Sequence, residues 1–331
     1  METALATILS PIILFFVLGL LASLLRSQMS VPEAFAKGLA IYLMMAIGLK
    51  GGVEMSTSTL SGDVVAMLLA GIALSFALPV LAYRLLIITT KLDPVDAAAV
   101  GAHYGSISIV TFVAATEAVR LAGIGSSGHL VAVAALMETP AIIAALLLLQ
   151  KTQKVETQNR EGALIAGAER GELVREVLLN ASVVVLIGAL LIGWISGEAG
   201  MEKVEGFFVT PFQGVLCLFL LDMGLNAGRG LRQGWRKLDA GTILFGLYMP
   251  LVSASIAALV CLALGAPQGD ATLLITLAAS ASYIAVPAAM RLALPKANPS
   301  IYLTLSLGIT FPFNVTLGIP VYIYLAGLVG G

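Results

Sequence analysis

Two serine pairs, set at the same offset behind two Asp-Ala steps, are the residues of this chain best suited to hold a ligand. Asp96-Ala97 is followed ten and twelve residues later by Ser106 and Ser108, and Asp270-Ala271 by Ser280 and Ser282 at the same offsets. Both pairs lie in apolar stretches and follow small residues, Gly101, Ala102 and Gly105 in the first, Ala278 and Ala279 in the second. Serine hydroxyls and free backbone N–H groups hold a small oxyanion without any arginine. The helices carrying them must then break, because an unbroken helix spends its N–H groups on its own carbonyls. Each stretch has a weak point: Gly105 in Tyr104-Gly105-Ser106-Ile107-Ser108, and Pro287 soon after Ser280-Ala281-Ser282-Tyr283. Small residues of this kind also serve close helix packing, which explains one pair; the duplicated spacing favours a site.

Oxygen-rich side chains occur nearby. Glu138 lies in Met137-Glu138-Thr139-Pro140, beside a proline that frees backbone carbonyls, and its counterpart is Thr310-Phe311-Pro312-Phe313-Asn314. Carboxylate, hydroxyl and amide oxygens are hard donors suited to a small hard cation. Glu138, Thr139, Thr310 and Asn314, with Thr111, form the candidate sodium set. Glu117 stands at a span end beside Arg120 and reads as interfacial. Asp222 and His103 are candidate coupling groups; Asp222 reads first as a polar clamp, and His103 as a packing residue beside the break.

These groups need a membrane to make sense. The chain has 59% apolar and 11% charged residues with a mean hydropathy of +1.00, and runs of about twenty apolar residues recur throughout. No basic patch points to nucleic acid. Cys217 and Cys261 form no metal or redox spacing and read as small buried hydrophobes. The first apolar run follows Glu2 without a basic residue and reads as a retained span rather than a cleaved signal.

The expected fold is all-α, with ten spans near 8–25, 32–49, 63–83, 94–118, 128–150, 176–196, 206–228, 240–265, 270–290 and 300–328. A polar connector over 151–175 separates a first five-span half, 1–150, from a second, 176–331. With the amino terminus outside, only Lys50, Arg120 and Lys203 of the 18 Lys and Arg fall outside, so both termini are expected to be external. An odd number of spans per half makes the halves inverted repeats, the arrangement in which secondary transporters bind ligand at paired broken helices. Gly19 with Gly188, Gly48-Leu49-Lys50-Gly51-Gly52 with Gly224-Leu225-Asn226-Ala227-Gly228, and Pro140 with Pro312 match at nearly one offset.

At these residues the chain resembles the sodium-dependent bicarbonate permease family known from cyanobacteria. The resemblance covers essentially the whole chain and is carried by Lys296-Ala297-Asn298-Pro299-Ser300-Ile301-Tyr302, Gly48-Leu49-Lys50-Gly51-Gly52, Val31-Pro32-Glu33-Ala34 and the two serine stretches. It implies a core domain (63–150 and 240–328) moving like an elevator against a gate domain (8–49 and 176–228). It also implies a homotrimer in the cell (inner) membrane and bicarbonate uptake coupled to sodium, with no other cofactor. Bicarbonate would contact Gly105, Ser106, Ile107, Ser108, Ala281, Ser282 and Tyr283, and a PII-type protein would regulate from the cytoplasmic face. The chain departs from the family pattern at Tyr283, where an aspartate is usual, and in its shorter central connector.

The residues themselves leave other readings open. A sodium-coupled organic carboxylate carrier uses the same donors, and a passive anion channel would need a continuous wet path instead. Enzymatic function is not expected: an intramembrane aspartyl protease needs two facing aspartates, and Asp222 is alone at mid-span.

Overall fold

The computed structural model describes residues 10–57, 61–138, 140–141, 143–144, 181–283, 286–287, 290, 294 and 296–330. Thr139, the central connector and the ends of the spans flanking it lie outside the described residues. All regular structure among the described residues is helical.

The first half comprises α1 (Pro11–Leu24), α2 (Glu33–Thr57), α3 (Gly62–Thr89), α4 (Pro94–Gly105), α5 (Ile109–Leu121) and α6 (His129–Glu138). The second comprises α7 (Ala181–Glu202), α8 (Phe212–Gly234), α9 (Ala240–Leu264), α10 (Gln268–Ala279) and a long α11 (Pro299–Val329). Among the described residues seven stretches are long and apolar enough to cross a membrane, whereas Pro11–Leu24 and His129–Glu138 are shorter apolar helices.

Local sequence explains the ends. Pro94 opens α4, where its missing N–H costs nothing, and the Asp93 carboxylate caps Val95 and Asp96 N–H at 2.9 and 3.0 Å. Asn298 caps α11 through Ser300 N–H at 3.1 Å. Asn298-Pro299-Ser300 is therefore a helix start. Helix α1 closes with Arg26 N–H on the Ser23 carbonyl and Ser27 N–H on the Ala22 carbonyl. That closure needs a left-handed residue, usually glycine, and here Arg26 adopts φ 62°, at roughly 1–2 kcal/mol.

Two crossings hold the outer helices together. Helix α1 packs on α8, and α2 on α7. A Cβ on Gly19 would strike the Leu221 carbonyl, and one on Gly224 the Phe16 carbonyl, so the α1 and α8 backbones touch. At the other crossing Gly52 meets the Leu190 carbonyl and Gly193 the Leu49 carbonyl. Gly188, which the sequence offset pairs with Gly19, meets nothing within 4 Å. The contact falls to Gly193 because the crossing point, not sequence offset, decides which glycine is needed. Apolar helices in lipid gain little from burial, so close backbone approach carries the association. Gly224→Val should therefore lower stability by about 1–3 kcal/mol, read as an earlier thermal unfolding midpoint in detergent; an unchanged midpoint would show that the crossing tolerates separation.

Helices α3, α4 and α6 pack together, as do α9, α10 and α11, with α3 against α9. The stretch from Asp96 to Ala115 is buried throughout, and so is α10 from Gly269 to Ala279. Lipid is thereby kept from the segments in which helix is interrupted, the condition for non-helical backbone at membrane depth. Leu69, Ile88, Ile195 and Leu259 point outward on other helices, as a bilayer requires.

Candidate functional site

Both serine pairs sit at helix breaks. Helix α4 stops at Gly105; Ser106 (φ −91°, ψ 154°) and Ser108 (φ −102°, ψ 107°) are extended, and α5 starts at Ile109. Gly105 serves close approach rather than an unusual dihedral: a Cβ there would overlap the Pro79 ring of α3. Helix α10 stops at Ala279, Ser280 is extended (φ −82°, ψ 163°), and Val286 and Pro287 are helical again. The interruption thus falls over Ser280–Tyr283, upstream of Pro287, whose ring cannot follow a helical carbonyl four residues earlier.

The two breaks close on each other. Ser108 N–H donates to Ser280 Oγ at 2.8 Å, and Ser282 N–H donates to the His103 carbonyl at 2.8 Å. Ser280 Oγ also donates to the Leu277 carbonyl at 2.8 Å, so its one proton is already committed. At the start of α5, Thr111 N–H reaches Ser108 Oγ at 3.2 Å, and Thr111 Oγ1 donates to the same oxygen at 2.9 Å. The first N–H groups of a helix have no intrahelical acceptor. Ile109 and Val110 N–H are the two that find none among the described residues. Ser106 Oγ donates to the Glu138 carbonyl at 3.3 Å, tying this break to the end of α6. Ile107, Ala281 and Tyr283 are buried; the Tyr283 ring lies edge-on to Phe311 with centroids 5.2 Å apart, and its hydroxyl makes no well-formed hydrogen bond among the described residues.

The Asp-Ala steps have a shared task that spacing alone does not reveal. Asp96 Oδ1 accepts Asn298 N–H at 2.6 Å, where α11 begins. Asp270 accepts Ser127 N–H at 2.6 Å and Ser127 Oγ at 2.8 Å, where α6 begins, with His129 Nε2 3.8 Å away. Each carboxylate fastens the foot of one broken segment to a connector in the opposite half of the chain. Asp270→Ala would strand both Ser127 donors and should cost about 2–3 kcal/mol. The check is thermal unfolding in detergent beside Asp63→Ala at an exposed helix start; equal midpoints would remove the anchoring role.

Helix α11 braces both breaks. Tyr104 OH is hydrogen-bonded to Thr310 Oγ1, which donates to the Gly246 carbonyl at 2.7 Å. Pro250 stands four residues after Gly246 and leaves that carbonyl without its helical donor, so the hydroxyl fills the gap. Asn314 Nδ2 donates to the Ala279 carbonyl at 2.9 Å, an orphan acceptor at the end of α10, and Asn314 Oδ1 accepts Tyr322 OH at 2.7 Å. Thr310 and Asn314 lie in or beside π-type stretches, Thr304–Thr310 and Asn314–Gly318, of the kind that often marks functional sites. Glu138 is buried at the end of α6, joined to the first break through its main chain. Thr111 therefore sits with the serines, whereas Thr310 and Asn314 make their hydrogen bonds to α4, α9 and α10.

Other expectations resolve differently. Asp222 is buried but accepts from Asn226 Nδ2 at 3.0 Å on its own helix, and Asn226 Oδ1 accepts from Arg229 Nη2 at 2.7 Å. That is a chain along α8 rather than a clamp between spans. His103 is held by packing contacts: Nδ1 lies 2.6 Å from the Ala99 carbonyl and the ring stacks on Tyr302 at 4.5 Å, while Nε2 is buried without a partner among the described residues. Glu117, read as interfacial, is buried; Arg120 grips it with two bonds of 2.9 and 2.7 Å, and Gln213 of α8 donates at 2.5 Å. Gln213 covers the carboxylate from a helix that lies far away in sequence. Tyr104, Ser127 and Gln213 gave no sequence signal, since each acts through a partner distant along the chain, and Tyr322 gave none because its partner Asn314 lies eight residues back on the same helix.

The packed apolar helices and the enclosed pair of breaks define a multi-pass helical membrane protein with a polar centre. The family model of the Na+-dependent bicarbonate transporter superfamily matches residues 11–327. The chain belongs to that superfamily of Na+-dependent bicarbonate transporters, and it is a transporter rather than an enzyme. No curated protein matches it.

Proposed function

We propose that the chain imports bicarbonate together with sodium, holding the anion where the two breaks meet. The observation that carries this reading is their reciprocal closure, Ser108 N–H on Ser280 Oγ and Ser282 N–H on the His103 carbonyl. A small anion there would be met by Ile109 and Val110 N–H at the positive end of α5 and by the hydroxyls of Ser106, Ser108 and Ser282. Gly105 and Ile107 on one side, and Ala281 and Tyr283 on the other, complete the wall. Among the described residues the site carries no guanidinium, so a cation bound with the anion would offset its charge.

Sodium is assigned to hard oxygens around Glu138, Thr139, Thr111, Thr310 and Asn314. The main-chain link from Ser106 to Glu138 supports this placement, since one ligand can then alter the other's surroundings. The two halves are proposed as inverted repeats, 1–150 and 176–331 about the connector 151–175. This is supported by the matched anchors Asp96–Asn298 and Asp270–Ser127 and by the crossings of α1 with α8 and α2 with α7. The gate, 8–49 and 176–228, would stay fixed in the cell membrane as the centre of a homotrimer, with the chain termini external. The core, 63–150 and 240–328, would carry both ligands past it.

Uptake of radiolabelled bicarbonate into proteoliposomes, with and without an inward sodium gradient, tests the reading. Saturable uptake that collapses without sodium is expected. Folded protein that moves no bicarbonate under either condition would sink it and put small carboxylates next.

A further inference from the structure

On the face where α1 and α8 both end, the structure holds a cleft of ≈ 830 Å³ lined by Leu24, Arg26, Leu231, Arg232 and Trp235 among others. Every lining residue comes from the ends of these two helices, so the cleft is separate from the helix breaks and stands whichever anion the chain transports. Two guanidinium groups face it, and neither has a carboxylate partner among the described residues. Arg232 is fixed in place by Nη1 on the Ser23 carbonyl at 2.8 Å, which leaves its other N–H groups to the cleft. Arg26 holds the left-handed C-terminal position of α1, which glycine would occupy without strain, and it is the one non-glycine residue with positive φ among those described. Strain kept at a position where a simpler residue would fit points to use of the side chain.

Ser27 and Gln233 add polar groups to the wall, and its apolar part, Leu24, Leu231 and Trp235, continues onto an outward-facing surface: Leu25, adjoining the cleft, is 81% exposed and Trp235 is 54% exposed. Unneutralised cations above exposed apolar surface at a helix end match an amphiphile with an anionic head. We propose that this cleft binds the phosphate headgroup of an acidic phospholipid, with Arg26 and Arg232 on the phosphate and Leu24, Leu25 and Trp235 along the first carbons of the chains. Basic pockets between transmembrane helices at the cytoplasmic boundary recognise anionic headgroups in this way, and tryptophan favours the same depth.

The chain has two tryptophans, Trp194 and Trp235, so a Trp194→Phe background reports on the cleft alone. In vesicles, quenching of Trp235 is compared for phosphatidylglycerol and phosphatidylcholine brominated near the headgroup end of the chains. A preference for the anionic lipid on the order of tenfold is expected, falling to none in Arg26→Gly with Arg232→Gln. Arg26→Gly relieves the left-handed strain, so lost preference in that single variant, with an unchanged or higher unfolding midpoint, separates lipid recognition from folding. Equal quenching by both lipids, or a preference that survives the double variant, would overturn the proposal. Reversal by inorganic phosphate, but not by chloride at equal ionic strength, would overturn the lipid assignment in favour of a soluble phosphate.

Discussion

Replacing Ser106 and Ser282 together by alanine is expected to lower sodium-driven bicarbonate uptake by on the order of a hundredfold or more, with the protein still folded. A hydrogen bond to a charged group contributes about 1.5–3 kcal/mol, and the proposed site has few donors to spare. Ser282 offers its hydroxyl from the second break while its N–H is engaged with the His103 carbonyl. Ser106 donates weakly to the Glu138 carbonyl at 3.3 Å and can turn to a ligand at little cost. Ser280 would be a poor choice for this test, because its oxygen already serves Ser108 N–H and the Leu277 carbonyl, and its loss would loosen the closure itself. Ser255→Ala, an exposed hydroxyl bonded to the Leu251 carbonyl, is the control. Uptake in the double variant equal to that of the control would remove the serines from the anion site.

Glu138→Gln is expected to raise the sodium concentration for half-maximal uptake by about tenfold, equivalent to 1.4 kcal/mol, with a smaller effect on the maximal rate. The amide keeps the shape and one oxygen but loses the charge that a hard cation prefers. The side chain is buried at the end of α6, and its main-chain carbonyl touches the first break, so a change in cation binding should also weaken apparent bicarbonate affinity. Uptake is measured across a sodium series at fixed bicarbonate, then across bicarbonate at saturating sodium. A sodium curve superimposable on the wild type would take Glu138 out of the cation set and leave Thr310 and Asn314, which brace the breaks from α11, to be tested next.

Much of the architecture can be read from local composition. Apolar runs the length of a bilayer require helices, because backbone polar groups in lipid must be satisfied within the segment. Pro94, Asp93, Asn298 and Pro299 mark helix starts through short-range chemistry, and the structure places starts at those residues. The serine stretches announce interruptions for the same reason: glycine, serine and proline weaken a helix wherever they stand.

What the sequence could not say is which distant groups meet. Pro287 looks like the cause of the second break, yet helix stops at Ala279, where Asn314 waits to take the orphan carbonyl. Gly188 matches Gly19 by offset, yet Gly193 makes the contact. Asp222 reads as a clamp between spans, and its partner is one turn away on its own helix. The sequence by itself determined a helical membrane protein with two weakened helices, since hydropathy, capping and helix-breaking act within a few residues. Only the tertiary structure decided that Ser280 meets Ser108, that Asp96 and Asp270 anchor opposite connectors, and that Arg26 and Arg232 share a cleft. Those pairings depend on crossing points of helices more than a hundred residues apart, where one turn of a helix changes every partner.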